Sequence, residues 1–145
     1  MQHTVIAHLQ QLFAAHADLS HLLPSEAFAK KLPVRSNSIG GQWWCVIGAR
    51  ESYLQALQQG QWVGFHCSLA YDRAQQKQRV VEALDRTARG LLITLEGLAL
   101  ADVRQDLLVD LLEHEALHPG QLIRYVYGLG YSFPKSWAER WALTD

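Results

Sequence analysis

The amino-acid sequence predicts an all-α fold, a four-helix bundle with a short helix after the fourth. Apolar residues recur at steps of three and four along four long segments, which is the helical period. No segment carries the run of alternating β-branched residues that predicts a strand, and the connections between the periodic segments are short. A chain of 145 residues, 49% of them hydrophobic, has the size of one domain, so we expect residues 1–145 to share one core.

The first helix is expected over residues 4–19, where a single stripe is formed by Val5, Leu9, Leu12, His16 and Leu19. Residues 22–33 form a predicted connector. Within this connector, Ser25 is expected to cap a short helical turn that Pro24 and Pro33 bracket.

The second helix is expected to begin near Ser36, Asn37 or Ser38, each of which can cap it, and to extend to about residue 58. Its apolar face is formed by Trp43, Ile47, Leu54 and Leu57. Cys45 lies on a different strip, whose other members are small: Gly41, Gly48, Ala49 and Ser52. Small side chains let either a second helix or a ligand come close, and the sequence leaves both open.

Residues 59–69 are predicted to form a loop, because Gly60 and Gly64 break the periodic pattern there. The next helix is expected over residues 70–98. Its apolar residues alternate steps of four and three, as in the seam of a bundle: Val80, Leu84, Ala88, Leu91, Leu95 and Leu98.

The fourth long helix is expected over residues 101–128, and one face of it carries Leu107, Leu111, His114, His118 and Tyr125. Gly128 and Gly130 are expected to end this helix. A short amphipathic helix over residues 137–141 then completes the predicted fold.

Charge and composition argue against several classes of protein. The 13 basic and 14 acidic side chains give a formal charge of -1, so neither a nucleic acid nor an anionic membrane is an expected partner. The longest apolar stretch, residues 91–100, is interrupted by Glu96 and is not expected to span a bilayer. Residues 1–10 lack the basic segment and apolar block of a signal peptide, so the cytoplasm is the expected location.

The two cysteines, Cys45 and Cys67, do not make a disulfide framework for a chain of this length and are expected as thiols. Cys67 and its neighbour His66 have no further residue at metal-ligand spacing, so we expect loop or core roles for both. Five tryptophans fit either a core or a contact face between two copies of the chain. One of the adjacent Trp43 and Trp44 should be buried on helical grounds.

The segment HEALHPGQ carries the strongest chemical pattern. Two histidines four residues apart lie on one face of a helix, so His114 and His118 can bind one metal ion, or can be core histidines held by hydrogen bonds.

The string also matches HExxH, the metalloprotease pattern, with Glu115 as general base and Glu139 as a distant third ligand. We disfavour a protease, because Pro119 removes a backbone donor in mid-helix and no sheet is predicted to line a peptide cleft. Glu115 is instead expected to be exposed to solvent or to act as a capping residue.

Two stretches together carry a resemblance to a known family. SIGGQWWCVIGARESYL in the second helix and HEALHPGQLIRYVYGLG in the fourth resemble the DinB/YfiT-like superfamily of small bacterial helical bundles. The usual signatures of that family are S-I-x-x-x-x-x-H on helix two and H-x-x-x-H-x-G-Q on helix four. The resemblance extends over residues 38–130, and the second motif is its specific part.

The resemblance implies a divalent-metal site at one end of the bundle, with Cys45, His114 and His118 as its ligands. Family members usually have a third histidine where this chain has Cys45. A Cys, His, His set suits zinc, because thiolate is a soft ligand, with nickel or manganese as the other candidates. The fourth position is expected to be open to water or substrate in a catalytic site, or closed by Glu51 or Gln42 in a structural one.

The resemblance also implies a function. Characterised members include metal-dependent transferases that add low-molecular-weight thiols to electrophiles. This chain is therefore expected to bind a divalent metal and to be a thiol transferase or a hydrolase-like enzyme of unknown substrate, packed as a homodimer through its long helices. The alternatives are a non-catalytic, stress-related bundle and an interaction module whose metal site is degenerate, with Trp43 or Trp44 filling the space.

Three more residues of the second motif have expected roles. Gly120 should let the fourth helix approach its neighbour closely, and Pro119 should loosen the hydrogen-bond ladder near the metal. Gln121 either turns its amide toward the metal cavity or makes an ordinary hydrogen bond between helices.

Overall fold

The structure of the protein, a computed structural model, describes residues 2–98 and 104–144. These residues form five α-helices: α1 (Gln2–Leu22), α2 (Ile39–Gln59), α3 (Lys77–Gly97), α4 (Gln105–Leu129) and α5 (Lys135–Trp141). Two 3₁₀ turns, Ser25–Ala29 and Tyr71–Gln75, lie in the connections, and the described ranges contain no β-strand. The predicted all-α class is therefore confirmed.

The four long helices surround one interior, in which α1 and α2 each pack against both α3 and α4. This arrangement is compatible with the predicted four-helix bundle. The short helix α5 lies against α1, where Trp137 is fully buried and its indole N–H donates to the carbonyl oxygen of Ala15 at 2.7 Å. No helix in the described ranges has both the length and the hydropathy that a membrane span requires.

Two apolar clusters fill the interior, and buried polar residues separate them. One cluster is built around Leu19, Trp43, Leu84 and Val126, the other around Leu9, Leu57, Leu91 and Leu111. On each long helix, buried polar residues lie between the residues of the two clusters. We name four of them, one from each helix, the polar layer: His16 on α1, Arg50 on α2, Thr87 on α3 and Glu115 on α4. The polar layer lies next to the histidines of the sequence motif.

Local signals in the sequence explain the ends of α2. The hydroxyl oxygen of Ser38 accepts a hydrogen bond from the backbone N–H of Gly41 at 3.0 Å, so the last of the three candidate residues is the N-cap. Gly60 ends the helix in the left-handed conformation, with φ of 73°. A residue with a side chain is strained in that conformation, which explains the glycine at this position.

Some boundaries differ from the prediction. Helix α3 begins at Lys77 and not at residue 70, because a separate 3₁₀ turn occupies residues 71–75. Ser25 begins its 3₁₀ turn but does not cap it, since Pro24 holds the N-cap position and no side chain bonds there. The predicted start of the fourth helix, residues 101–103, lies outside the described residues.

A close approach beside the candidate ligands occurs at Gly48 on α2 and not at Gly120 on α4. A Cβ atom on Gly48 would lie only 2.3 Å from the ring of Phe65, so the loop before the second 3₁₀ turn packs directly on the strip of small residues beside Cys45. Gly120 is exposed, and a Cβ atom there would meet nothing within 4 Å. The prediction of a close approach at Gly120 is therefore wrong. The strip of small residues on α2 contacts a loop of the same chain.

Candidate metal centre

Helices α2 and α4 bring Cys45, His114 and His118 together. One ligand atom from each of the three side chains lies within 4.8 Å of the other two. The Sγ atom of Cys45 is 3.6 Å from Nε2 of His114, and the two imidazole centroids are 4.7 Å apart. Within the described part of the chain, this is the one group of three His, Cys, Asp or Glu side chains close enough to hold a metal ion. The histidines occupy the middle turns of α4, whereas Cys45 lies within the first two turns of α2.

His118 is held in a defined orientation by Gln42. The Nδ1 atom of His118 is 2.9 Å from Oε1 of Gln42, and the side-chain nitrogen of Gln42 donates to the hydroxyl of Tyr125 at 3.5 Å. The Tyr125 hydroxyl in turn donates to the carbonyl oxygen of Asn37 at 2.7 Å. Because an amide oxygen only accepts, Nδ1 of His118 carries the proton and Nε2 keeps its lone pair. This is the tautomer that binds a metal through Nε2, with the outer partner that metal-binding histidines usually have.

The three side chains are uncharged without a metal. Burial lowers the pKa of His114 and lowers that of His118 to about 3, whereas burial raises the pKa of the Cys45 thiol. Neutral imidazoles are the form that binds a metal ion, and a thiol loses its proton on binding one. In the metal-free state the Cys45 thiol makes a weak hydrogen bond to Nε2 of His114.

The donor set and one of its distances are compatible with a zinc ion. For a tetrahedral zinc ion with Zn–S of about 2.3 Å and Zn–N of about 2.0–2.1 Å, sulfur and nitrogen lie about 3.5–3.6 Å apart. The 3.6 Å between Cys45 and His114 equals that separation. In addition, Nδ1 of His114 is buried and has no hydrogen-bond partner among the described residues. Because Nε2 of His114 faces Cys45, this Nδ1 carries the proton of the neutral ring, so a water or another acceptor, and not the metal, would satisfy it.

The two residues considered for closing the metal site have other partners. The carboxylate of Glu51 accepts hydrogen bonds from the backbone N–H and hydroxyl of Ser68 at 2.6 and 2.5 Å, and forms an ion pair with Arg86. The side-chain oxygen of Gln42 is bound to Nδ1 of His118. Glu51 does not belong to the group of potential ligands.

The adjacent tryptophans do not fill the space between the three donor atoms. Trp43 is fully buried, as one of the pair was expected to be, and its ring lies 5.0 Å from that of Phe28. Trp44 is partly exposed, and its N–H donates to the carbonyl oxygen of Leu69 at 2.8 Å. Both indoles are therefore engaged away from the cluster.

Glu115 is fully buried, so the expectation that it would be solvated or capping is wrong. Its carboxylate accepts two parallel hydrogen bonds from Arg50, from Nε at 2.7 Å and from Nη2 at 2.9 Å. Arg50 also donates to the carbonyl oxygen of Leu84 at 3.0 Å and lies 4.4 Å from the ring centroid of Phe13. Burial alone would raise the pKa of Glu115, but the charge and hydrogen bonds of Arg50 lower it overall, so the carboxylate is ionised.

His16 completes the buried network around Glu115. The indole N–H of Trp43 donates to Nδ1 of His16 at 3.2 Å, so the proton of the neutral ring is on Nε2. That Nε2 lies 3.4 Å from the carbonyl oxygen of Glu115, which has lost its helical donor because residue 119 is Pro119. The loosened ladder expected at Pro119 is thus compensated by an imidazole from α1, and α4 continues without a break. Burial lowers the pKa of His16 to about 4, so the ring is neutral at pH 7.

These contacts remove the support for a HExxH protease. Glu115 is bound to Arg50 and is not free to act as a base. Glu139 is exposed on α5, where its partner is Lys135 at 3.5 Å, and it does not belong to the group with the two histidines. The structure therefore supplies neither the base nor the third ligand of that pattern.

His66 and Cys67 also lie outside the group of potential ligands. The backbone of His66 exchanges hydrogen bonds with the hydroxyl of Ser52, and the Cys67 thiol donates to the carbonyl oxygen of Trp44 at 3.6 Å. Burial raises the pKa of Cys67 to about 11. Both residues have the loop roles that the sequence predicts.

A scan against protein-family models and a search of curated proteins found no match to this chain.

Proposed function

We propose that the protein binds one divalent transition-metal ion, zinc in preference to nickel or manganese, at Cys45, His114 and His118. The observation that carries the proposal is the approach of one thiol and two imidazoles to within 4.8 Å of one another. Thiolate and imidazole nitrogen are the donors that zinc prefers, and a soft thiolate disfavours manganese. The outer hydrogen bond from Gln42 adds support, because it fixes the ring of His118 in the tautomer that a metal needs.

We infer a catalytic rather than a purely structural centre. Cys45 and His114 are partly exposed, and both candidates for a fourth protein ligand, Glu51 and Gln42, have other partners. These features support an open fourth position. A zinc ion in such a site lowers the pKa of a bound water or thiol, which provides a nucleophile near neutral pH.

The resemblance to the DinB/YfiT-like superfamily supplies the proposed reaction class, transfer of a low-molecular-weight thiol to a small electrophile within a DinB-like four-helix bundle. In this proposal Cys45, His114 and His118 hold the ion, and Gln42 orients His118. The Arg50 side chain holds α4 against α2 through Glu115. The homodimer is proposed on the same resemblance, and sedimentation equilibrium at two protein concentrations tests it.

Three of the five tryptophans are not available to a partner, which weakens the case for an interaction module. Trp43 and Trp137 have no exposed surface, so they fill the core and are not available to a partner. Trp44 is bound to its own loop. A contact face centred on these residues therefore has little support.

Metal content tests the site. Protein purified without a metal-affinity tag should contain about one zinc ion per chain by mass spectrometry of the elements, and the double variant His114→Ala, His118→Ala should contain none. His66→Ala is the matched control, because His66 is exposed and outside the cluster, and it should retain the metal. Equal metal in the wild type and the double variant, with both folded by circular dichroism, would contradict the proposal.

Turnover tests the activity separately. Conjugation of cysteine to monobromobimane should be faster with the zinc-loaded protein than with the chelator-treated protein or the double variant. A protein that binds zinc but leaves the uncatalysed rate unchanged would be a non-catalytic bundle toward this pair of reactants.

A further inference from the structure

An open cavity lies beside the metal centre, on the far side of Gln42. Its volume is about 610 Å³, within the range of about 300–1,000 Å³ that is usual for small-molecule sites. The buried side chains of Gln42 and Tyr125 line it, and Oε1 of Gln42 is 2.9 Å from Nδ1 of His118. The cavity and the metal centre therefore share one side chain.

The charge of this cavity is positive. Two arginines line it, Arg35 from the connector before α2 and Arg124 from α4, and no carboxylate does. Within the described ranges, neither guanidinium forms an ion pair with an acidic side chain. The remaining polar groups of the lining include the amides of Asn37, Gln42 and Gln121, which can donate hydrogen bonds. Two unpaired cations among amide donors make a site for an anion.

The connector that carries Arg35 is held against α4. The hydroxyl of Ser36 accepts a hydrogen bond from the backbone N–H of Leu32 at 3.2 Å. A Cβ atom on Gly128 would lie 2.6 Å from Leu32, so the connector packs tightly on the last turns of α4, four residues beyond Arg124. The side of the cavity that the connector forms is thus in place before a ligand binds, which lowers the entropy cost of binding.

We propose that this cavity binds the anionic group, a carboxylate or a phosphate, of the small molecule on which the metal centre acts. The assignment as a substrate site rests on the proposed function, whereas anion binding itself does not. Guanidinium groups bind both kinds of anion through paired hydrogen bonds. Leu32 and Val34 add apolar surface to the same cavity, so a ligand with an anionic group on a short apolar body fits best. An anion held there places the rest of such a molecule against Gln42, whose side-chain oxygen is 2.9 Å from Nδ1 of His118.

Calorimetric titration of the purified protein at constant ionic strength tests the assignment. The probes are succinate for the carboxylate, phenyl phosphate for the phosphate, and succinamide as the uncharged match of succinate. The double variant Arg35→Gln, Arg124→Gln removes both charges. The matched control is Arg79→Gln, Arg89→Gln, which removes the same charge from exposed positions on α3, a helix that does not line the cavity.

At least one of the two anions should bind the wild type and the control equally, and should bind the Arg35, Arg124 variant about tenfold or more weakly. Succinamide should not bind measurably. Binding of neither anion to the wild type, equal binding to both double variants, or equal binding of succinamide and succinate would overturn the proposal. The zinc content of the Arg35, Arg124 variant should equal that of the wild type, so loss of the anion site is distinguishable from failure of the metal site.

Discussion

Arg50 and Glu115 form a two-pronged ion pair in the interior of the protein, with both side chains fully withdrawn from solvent. The pair joins α2 to α4, the two helices that carry the candidate metal ligands. Glu115 directly follows His114, and Arg50 lies five residues after Cys45. The spacing between the thiol and the imidazoles is therefore linked to this buried contact.

Removal of one partner of the pair should destabilise the protein strongly. Glu115→Gln leaves the Arg50 charge buried without compensation, so we expect a loss of about 3–5 kcal/mol in the free energy of unfolding. Urea denaturation at pH 7 measures it. Asp85→Asn is the control, because it removes one partner of the exposed Asp85–Arg89 pair and should cost less than about 1 kcal/mol. Similar losses for the two variants would show that the buried pair is not structurally important.

His16 should make the metal-free protein less stable as the pH falls. Its folded pKa of about 4 lies below the usual value of 6.5, because burial and the Arg50 charge outweigh the Glu115 carboxylate. Between these values the unfolded chain binds the proton and the folded protein does not, so stability decreases from pH 6.5 toward pH 4 by about 3 kcal/mol.

The measurement is urea denaturation of chelator-treated protein across that range, for the wild type and for His16→Gln. The variant should lose a clear part of the pH dependence, while His114 and His118 account for the remainder, because their pKa values are lowered as well. An unchanged slope in the variant would mean that His16 does not take part.

Substitution at Cys45 should change both the affinity and the selectivity of the metal site. Cys45→Ser should weaken zinc binding by more than the roughly 10–100-fold that follows loss of an outer partner. Cys45→His should shift the preference from zinc toward nickel, because the soft thiolate is replaced by an imidazole. Competition with a chromophoric chelator measures both affinities, and Cys67→Ser, a change outside the cluster, should leave them as they are.

Gln42 should affect metal binding without touching the metal. Gln42→Leu removes the acceptor of His118 Nδ1, so zinc affinity should fall about 10–100-fold. The control is Gln121→Leu, since Gln121 is exposed and makes no hydrogen bond to His118 among the described residues. Equal zinc affinities for the two variants would exclude an orienting role for Gln42.

The helices and the pair of candidate ligands His114 and His118 were predictable from the sequence, because both depend on local spacing. The period of apolar residues marks the long helices, and the four-residue step from His114 to His118 predicts a shared face. The convergence of Cys45 on that face rested on the family resemblance, since no local rule relates residues that are far apart along the chain.

The pairing of Arg50 with Glu115 in the polar layer was not predicted, for the same reason. Glu115 is charged, and a charge is usually exposed unless it has a partner, yet Arg50 lies 65 residues away along the chain. A signal was present: Arg50 and Glu115 each fall at helical spacing on an apolar stripe, with Val46 four residues before Arg50 and Leu111 four residues before Glu115. Two opposite charges on two core stripes, read together, predict a buried pair.

The polar layer also restricts how the helices can slide. A shift of α4 by one turn, about 5.4 Å, would move Glu115 away from Arg50 and place each charge against hydrocarbon. A helix interface made only of apolar side chains tolerates such a shift in register more easily, because one leucine can take the position of another. The buried pair therefore favours one register of α2 on α4, the register in which the thiol and the two imidazoles lie within 4.8 Å of one another.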